Sequence, residues 1–443
     1  MPAIPLWPPP REQESAAELL DAAEARDPFG HGVHAIAAGL FCGGAGVATS
    51  TIEIGAVLLL AIALLRLPHT WRSYAPLLTI GAIPAFLAWI AWAFLTLAWS
   101  IDPSEGFGQL DSFRMLLVIP ALWPVMRHRR GLVMCLLVGM LVQVVAQALT
   151  FSGLVSAHTD GFDRHTGLGS HPGYVTLWLA IAALAAGALL RDASRRLRVA
   201  LVVTMVLFVV GAFVAGGRGS LLGLFGGAAA LLALTVASTR ITRGQWIVGL
   251  GLTLTVAGSV IALRGEELGK AVTNAQKQIA RSESRGDPRG SATYRLYWWG
   301  LTVDAWHEHP VIGLGAGSWH DWALTLPETE ELAARLKTDP EDLILAHPHS
   351  TYLQTLAETG LVGGVLTLLL ALSIVGRATA IARTDAIAAG AFAGLVAWAI
   401  AAAFEGQHIS SRPVGAFAIL FAFALLPSLL PRPSAAAHTG PGA

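Results

Sequence analysis

Charged residues are scarce in this chain. Asp, Glu, Lys and Arg make up only 13% of its 443 residues, whereas 54% of the residues are apolar. Soluble domains usually carry about 25% charged residues, so the composition excludes an ordinary soluble domain and indicates a membrane protein. The formal net charge is zero. This argues against nucleic acid as a partner, because binding to nucleic acid depends on an excess of Lys and Arg.

Cysteine is also scarce. Cys42 and Cys135 both fall inside predicted membrane helices, so the chain offers neither a disulfide framework nor a CxxC pair for a metal. The first thirty residues lack the basic start and the short apolar core of a signal peptide. We therefore expect residues 1–31 and 431–443 to form cytoplasmic tails.

Long apolar runs dominate the remaining sequence, and each can cross about 30 Å of hydrocarbon as a helix. They lie at 33–50, 52–66, 75–99, 110–126, 131–156, 172–190, 199–216, 219–238, 245–263, 353–375, 385–404 and 414–430. The sequence thus predicts an all-α polytopic membrane protein with about twelve transmembrane helices. Nine of them fall in 32–263 and three in 353–430.

The connections between these runs differ in charge. Alternate connections are rich in arginine, and their arginines are Arg66, Arg72, Arg127, Arg129, Arg130, Arg191, Arg195, Arg196, Arg198, Arg240, Arg243, Arg377 and Arg383. Short cytoplasmic loops collect Lys and Arg. We therefore expect this side, together with both termini, to face the cytoplasm and the large loop to lie outside.

Residues 264–352 form a large polar loop that carries nine Lys or Arg, thirteen Asp or Glu and five Trp. Loops this long are usually functional or disordered, so we expect the active site here. The pattern predicts a polar helix over 267–281, a flexible break over 282–291, an interfacial helix over 294–307, a glycine turn at 313–317 and a capped helix start at 339–342. The tryptophans either stack on sugar rings or form an aromatic belt at the membrane surface.

Histidines and arginines at the outer side are the candidate functional residues. His349 lies where the chain re-enters the membrane, and an imidazole with a pKa of about 6.5 suits a general base at neutral pH. His347 is the second imidazole. Arg218, in a glycine-rich hairpin, and Arg295, on the interfacial helix, are candidate anion ligands. The alternatives are a capping role for the histidines and contact with lipid headgroups for the arginines.

Further candidates for substrate binding are Arg114, His171 and Arg412, with His408 beside the last of them. Arg114 lies just inside a predicted span, where a charge is costly unless it faces a cavity or a partner such as Asp111. No DxD-type acidic pair stands near the histidines, so no metal or other cofactor is implied.

Four segments together resemble the O-antigen ligase superfamily. His349-Ser350, followed by nine residues and Gly360-Leu361-Val362-Gly363, is similar to that family's signature H-[N/S/Q]-x9-G-x-x-[G/T/Y]. The Arg-Gly-Ser at 218–220 and the R-x-x-x-W beginning at Arg295 resemble its two arginine segments, and HPVIGLGAGSW at 309–319 resembles its glycine-rich stretch. Pro348, between the two histidines, departs from the pattern.

The resemblance implies a GT-C-like fold in the bacterial inner membrane with a periplasmic active site. It also implies an inverting, metal-independent glycosyltransferase that moves a glycan from undecaprenyl pyrophosphate to a hydroxyl of lipid A–core. His349 would be the base, and Arg218 and Arg295 would bind the diphosphate. The same chemistry serves O-antigen polymerases and protein O-oligosaccharyltransferases, so the acceptor stays open. A transporter or flippase without chemistry is the remaining alternative.

Overall fold

The computed structural model describes residues 15–155, 165–169, 171–238, 269–270, 273–274, 276–282 and 286–431. Every regular element in these ranges is a helix, which confirms the all-α prediction. The predicted ninth span at 245–263, the connection that carries Arg240 and Arg243, and the tail from 432 onward lie outside the described residues.

The helices of the first half of the chain run from residue 16 to residue 238. They are α1 (Ala16–Arg26), α2 (Pro28–Ala45), α3 (Thr49–Leu65), α4 (Leu67–Thr70), α5 (Ala82–Leu95), α6 (Pro103–Leu110), α7 (Val118–Leu122), α8 (Arg129–Phe151), α9 (Pro172–Leu189), α10 (Arg195–Ala215) and α11 (Arg218–Ser238). Short 3-10 helices join several of them, at Trp71–Thr79, Thr96–Trp99, Asp111–Leu117, Trp123–His128 and Leu190–Asp192.

The helices of the second half form the polar loop and the last membrane segments. They are α12 (Ser291–Glu308), α13 (Ser318–Leu324), α14 (Pro327–Leu336), α15 (Pro340–Leu343), α16 (Thr351–Ala382), α17 (Ala386–Ala402) and α18 (Ser411–Leu425), which continues as the 3-10 helix Leu426–Leu429. The described residues between 269 and 282 are helical as well, in agreement with the predicted polar helix.

Among the described residues, seven helical segments are long and apolar enough to cross a membrane: Ala82–Trp99, Pro103–Phe151, Pro172–Asp192, Arg195–Ala215, Arg218–Ser238, Thr351–Ala382 and Ser411–Leu429. The pair Thr49–Leu65 and Leu67–Thr79, bent by 63°, adds an eighth if it counts as one span, and α17 is apolar but shorter. These helices confirm a polytopic membrane protein, whereas the number twelve remains a prediction.

One connection between predicted spans is helical in the structure and does not form a loop. The runs at 110–126 and 131–156 belong to a single helical segment, Pro103–Phe151, because the chain passes between them through the 3-10 helix Trp123–His128. From the sequence, the arginines within 127–130 are predicted to lie at the membrane surface in a loop. In the structure the backbone there is helical.

Glycines let α11 lie directly on α17. A Cβ atom at Gly223 would stand 2.4 Å from the carbonyl oxygen of Ala397, and one at Gly227 would stand 2.6 Å from that of Ala393. Small residues four apart allow two membrane helices to approach to backbone contact. Four residues earlier in α11, Gly219 lies against the side chain of Phe404. This packing places the start of α11, and with it Arg218, beside the loop that follows α17.

The arginine-rich connections meet at one end of the helix bundle. Arg129 forms a salt bridge of 2.5 Å with Asp385, which lies in the connection between α16 and α17. Arg191 donates to the carbonyl oxygen of Arg383 in the same connection. The polar loop is at the opposite end, where the hydroxyl of Ser100 donates to the carbonyl oxygen of Ala316. The grouping of the loops therefore agrees with the predicted alternation of charge.

The polar loop has a small core of its own. Three of its five tryptophans, Trp298, Trp319 and Trp322, are almost fully buried among residues of α12 to α16. Trp299 and Trp306 are half-buried. Side chains that hold the loop together cannot stack on a sugar, so only the last two tryptophans remain available to a ligand or to the membrane surface.

Candidate active site

His349 and Ser350 form the junction between the polar loop and α16. Ser350 is the N-cap residue, and its hydroxyl accepts a hydrogen bond from the backbone N–H of Leu353 at 3.4 Å. Serine and asparagine are favoured at this position because their side chains accept from the free N–H groups of the first helical turn. His349 has a φ of 54°, a left-handed conformation that is uncommon outside glycine.

Three contacts hold the His349 side chain and backbone in this conformation. Its ring stacks on Trp298, with centroids 5.5 Å apart. Its backbone N–H donates to Nδ1 of His347 at 3.1 Å. Its own Nδ1 lies 3.2 Å from Oε2 of Glu405. A strained backbone of this kind persists where its surroundings over-determine it, and functional sites are common locations for it.

Glu405 joins His349 to a cation. Its other oxygen, Oε1, lies 3.4 Å from the guanidinium of Arg295, so one buried carboxylate touches both residues. Burial alone would raise the pKa of Glu405. The hydrogen bond from His349 and the electrostatic effects of His349, His171 and Arg295 outweigh burial and hold that pKa below its ordinary value. Glu405 is therefore an ionised carboxylate at neutral pH.

Glu405 was not among the residues predicted from the sequence, where it stands only as an acidic residue in a short outer loop. A signal was present, because an acidic side chain at the end of an apolar span needs a partner there. The pairing itself joins residues 56 positions apart, and no local pattern indicates it.

The loop that carries Glu405 is fixed to the start of α16. The backbone N–H and the hydroxyl of Thr351 both donate to the carbonyl oxygen of Glu405, at 3.2 and 2.8 Å. The backbone N–H of Gln407 donates in turn to the Thr351 hydroxyl at 2.8 Å. Because Thr351 is only two residues from His349, these bonds fix His349 and the carboxylate relative to each other.

Arg218 and His171 lie at helix starts that face the same loop. The hydroxyl of Ser220 donates to the carbonyl oxygen of Gly173 at 2.8 Å, which joins the first turns of α11 and α9. His171 precedes α9, and a Cβ atom at Gly173 would lie 3.1 Å from its ring and 3.5 Å from Oε1 of Glu405. The Arg218 side chain is exposed, and its guanidinium has no hydrogen-bond or ion-pair partner within the described ranges.

The other two predicted cations are committed to different partners. Arg114 pairs with Glu53 at 2.7 Å and with Asp111. Arg412 is 1% exposed, and its guanidinium donates to the carbonyl oxygen of Gly46 at 2.9 Å. The structure therefore brings together His349, His347, Arg295 and His171, with Arg218 beside them, and directs Arg114 and Arg412 elsewhere.

His347 is half-buried and His408 is buried, and both are uncharged at neutral pH. Burial, and then the charge of His349, lower the pKa of His347 to about 3, and burial lowers that of His408 to about 4. An imidazole that weakly basic is a poor proton acceptor near pH 7. Nδ1 of His347 instead accepts the backbone N–H of His349, so this ring nitrogen already has a partner.

An apolar cavity of about 170 Å³ begins next to these residues. Thr351 and His408 line one end, and it continues along α16 between α17 and α18, with Trp89, Leu370 and Phe417 among its walls. No charged side chain lines it. A cavity of this kind suits a hydrocarbon chain rather than a sugar.

A family comparison identifies this part of the chain. Residues 203–368 match the family described as O-antigen ligase. This match supports the predicted resemblance to the O-antigen ligase superfamily. The matched segment contains Arg218, Arg295 and His349, whereas Glu405 lies beyond it. No curated protein matches the sequence.

Members of the O-antigen ligase superfamily are glycosyltransferase-like enzymes that act on glycan and lipid substrates at membranes. Within the described residues, no three His, Cys, Asp or Glu side chains are grouped so as to hold a metal ion. Arg295 is a cation within the described residues that lies close to His349, through their shared contact with Glu405.

Proposed function

We propose that this chain is an inner-membrane glycosyltransferase of the O-antigen ligase superfamily. It transfers a glycan from undecaprenyl pyrophosphate to a hydroxyl of lipid A–core on the periplasmic face. The observation that carries the proposal is the contact of His349 and Arg295 with one carboxylate, Glu405, at 3.2 and 3.4 Å. A base and an anion ligand thus lie side by side within the matched domain and next to an apolar cavity.

His349 acts as the general base. Its Nε2 atom has no partner within the described ranges and is free to accept a proton from the attacking hydroxyl. The hydroxyl oxygen forms a bond to the anomeric carbon while the bond from that carbon to the diphosphate oxygen breaks. The diphosphate leaves with the electron pair. Attack opposite the leaving group inverts the anomeric centre.

Arg218 and Arg295 bind the diphosphate. A guanidinium presents a planar pair of N–H groups that matches phosphate oxygens bidentately, and charge that develops on the leaving group is stabilised by cations already in place. The Arg218 guanidinium has no partner among the described residues and is exposed. It is therefore available to a ligand without breaking an existing contact. With two guanidinium groups, the transfer does not require a metal ion.

The lipid part of the donor occupies the apolar cavity along α16. Its lining from Thr351 to Val375 follows the membrane helix away from the site, which is the direction that a prenyl chain must take from a diphosphate held at the surface. An apolar channel beside cations and a base fits a lipid-linked diphosphate better than a free sugar nucleotide, which has no hydrocarbon chain to bury.

Two other kinds of acceptor would suit the same site. An O-antigen polymerase or a protein O-oligosaccharyltransferase would use the same base, cations and donor, and differ only in the hydroxyl that attacks. A transporter or flippase is less consistent with the structure, because a paired imidazole and carboxylate at the outer end serve proton transfer rather than passage of a substrate.

The test is transfer by the purified protein in liposomes, with an undecaprenyl-diphosphate-linked glycan and lipid A–core. We expect His349→Ala to reduce kcat by about 10²–10⁴-fold with unchanged expression and insertion. His307→Ala removes an exposed histidine of the same loop and should stay active. Full activity of His349→Ala would refute the assignment of His349 as the base. Transfer only to a growing glycan or to a protein would show that this molecule, and not lipid A–core, is the acceptor.

A further inference from the structure

One carboxylate in the site contacts two groups with different tasks. Oε2 of Glu405 meets the base, His349, and Oε1 meets the phosphate ligand, Arg295. The side chains of His349, Arg295 and Glu405 are 18%, 25% and 10% exposed, so the three share a partly dry environment where charges interact more strongly than in water.

We propose that Glu405 is a positioning residue that couples binding of the diphosphate to activation of the base. Glu405 contacts both Arg295 and His349, and an incoming diphosphate draws Arg295 away and leaves the carboxylate to the imidazole alone. This inference rests on the proposed function, because it needs a donor with a diphosphate and a base.

The contact with His349 determines which ring nitrogen is free. An ionised carboxylate can only accept hydrogen bonds, so Nδ1 of His349 carries the proton and donates to Glu405. Nε2 then keeps its lone pair for the acceptor hydroxyl. When Nε2 takes that proton, the ring becomes a cation directly beside Glu405, which stabilises it as the carboxylate of a catalytic triad does. The proton afterwards leaves Nε2 for solvent, and the ring is neutral again.

The contact between Arg295 and Glu405 is weak enough for Arg295 to exchange it for a contact with the diphosphate. Its single N···O distance of 3.4 Å is longer than the roughly 2.7–2.9 Å of a strong charge-assisted bond. A diphosphate offers Arg295 a bidentate contact and a larger negative charge, so the guanidinium gains by moving to it. Glu405 cannot follow, because its backbone is held by Thr351.

The other charged or titratable groups around this pair do not substitute for Glu405. The half-buried His347 and the buried His408 are neutral, and His171, before α9, contributes positive charge near Glu405. Within the described residues no second carboxylate contacts His349. The negative charge beside the base therefore comes from Glu405.

Glu405→Gln tests the proposal through two quantities, kcat and the affinity for undecaprenyl diphosphate, which should change in opposite directions. We expect kcat to fall by about 10²-fold or more, because the imidazolium loses its counter-ion. Binding of undecaprenyl diphosphate, measured directly on the purified protein, should tighten by up to about fivefold, because Arg295 no longer has a competing partner. A residue that only supported the fold would weaken binding and turnover together.

The pH dependence supplies the second readout. Protonation of the base inactivates it, and a neighbouring negative charge favours the protonated form. Removal of that charge should therefore shift the acidic limb of the kcat profile to lower pH in Glu405→Gln. Glu405→Asp retains the charge and should restore both part of kcat and the position of the limb.

The controls separate this inference from the proposed function. Asp385→Asn removes a carboxylate from another arginine pair at the opposite end of the bundle and should leave kcat and the pH profile unchanged. Wild-type kcat in Glu405→Gln, or weaker diphosphate binding, overturns the coupling role even when His349→Ala is inactive. An active His349→Ala overturns the proposed base as well. If Glu405→Gln does not fold, a folded Glu405→Asp with no turnover overturns the coupling.

Discussion

At the scale of single residues, the two arginines proposed to bind the diphosphate differ in their surroundings. Arg218 is exposed and has no partner among the described residues, whereas Arg295 is already paired with Glu405. We expect Ala at either position to lower kcat by about 10²–10³-fold, because each guanidinium stabilises charge on the leaving group. Lys should recover only part of that loss, since a point charge cannot bind bidentately.

Transfer assays with saturating donor measure these losses, and Arg383→Ala at the opposite end of the bundle serves as the matched control. Wild-type activity of Arg218→Ala would mean that Arg218 contacts lipid headgroups instead. The two arginines should also differ in their effect on Glu405. Only the variants of Arg295 should change the contacts of the Glu405 carboxylate, because of these two arginines only Arg295 touches it.

The same arginines lead to a prediction about metals. Two guanidinium groups supply the positive charge that a divalent cation would otherwise supply to a diphosphate, so transfer should persist in excess EDTA. Initial rates with EDTA, and then with added Mg²⁺ or Mn²⁺, measure this. A strict requirement for either ion would contradict the metal-independent mechanism while leaving the match to the O-antigen ligase family intact.

The sequence singles out His349 and Arg295 because each lies within a local motif of recognisable spacing. It could not predict Glu405, whose partners lie 56 and 110 residues away along the chain. Nor could it separate Arg412 from the site, since its burial and its bond to Gly46 depend on how α2 and α18 pack. Local patterns identify residue types, and long-range packing determines which of them meet.

At the scale of elements, the glycine-rich turn of the polar loop is packed against a kink in α16. Gly360 has a φ of 66° inside the helix, and a Cβ atom there would stand 2.2 Å from the carbonyl oxygen of Val311. A Cβ atom at Gly313 would stand 2.4 Å from the backbone of Glu358. The sequence predicts a tight turn at 313–317, but its contact with Gly360 joins two motifs that are separate in the chain.

This packing predicts that Gly313→Ala and Gly360→Ala are destabilising. Each change adds a methyl group where backbone already lies and forces a side chain into a left-handed conformation, at a cost of about 1–3 kcal/mol. Thermal unfolding in detergent should show a lower Tm for both variants. Because the kink lies nine residues beyond Thr351, transfer activity should fall as well.

Gly376→Ala is the matched control, because that glycine belongs to the same helix and has nothing within 4 Å of its Cβ position. Its Tm should be unchanged or slightly higher, since alanine favours a helix more than glycine does. An unchanged Tm for Gly360→Ala would show that the kink does not depend on glycine.

At the scale of the whole molecule, the arginine-rich connections and the active site lie at opposite ends of the helix bundle. Contacts such as Arg129 with Asp385 join the former, and the contact of Thr351 with Glu405 lies at the other end. Charge alternation therefore predicted the grouping of the loops without any tertiary information. The number of spans was harder to predict, because Pro103–Phe151 continues through a predicted connection.

This arrangement predicts the orientation of the protein in the membrane. Positive loops remain in the cytoplasm, so single cysteines placed near Arg130 and Arg196 should be shielded from an impermeant thiol reagent added to intact spheroplasts. Cysteines placed near Asp287 and Glu330, in the polar loop, should be labelled. Cys42 and Cys135 should first be replaced, and lysed membranes, where all four positions should react, provide the control. Labelling near Arg130 with protection near Glu330 would put His349 in the cytoplasm, on the side opposite to the proposed periplasmic donor and acceptor.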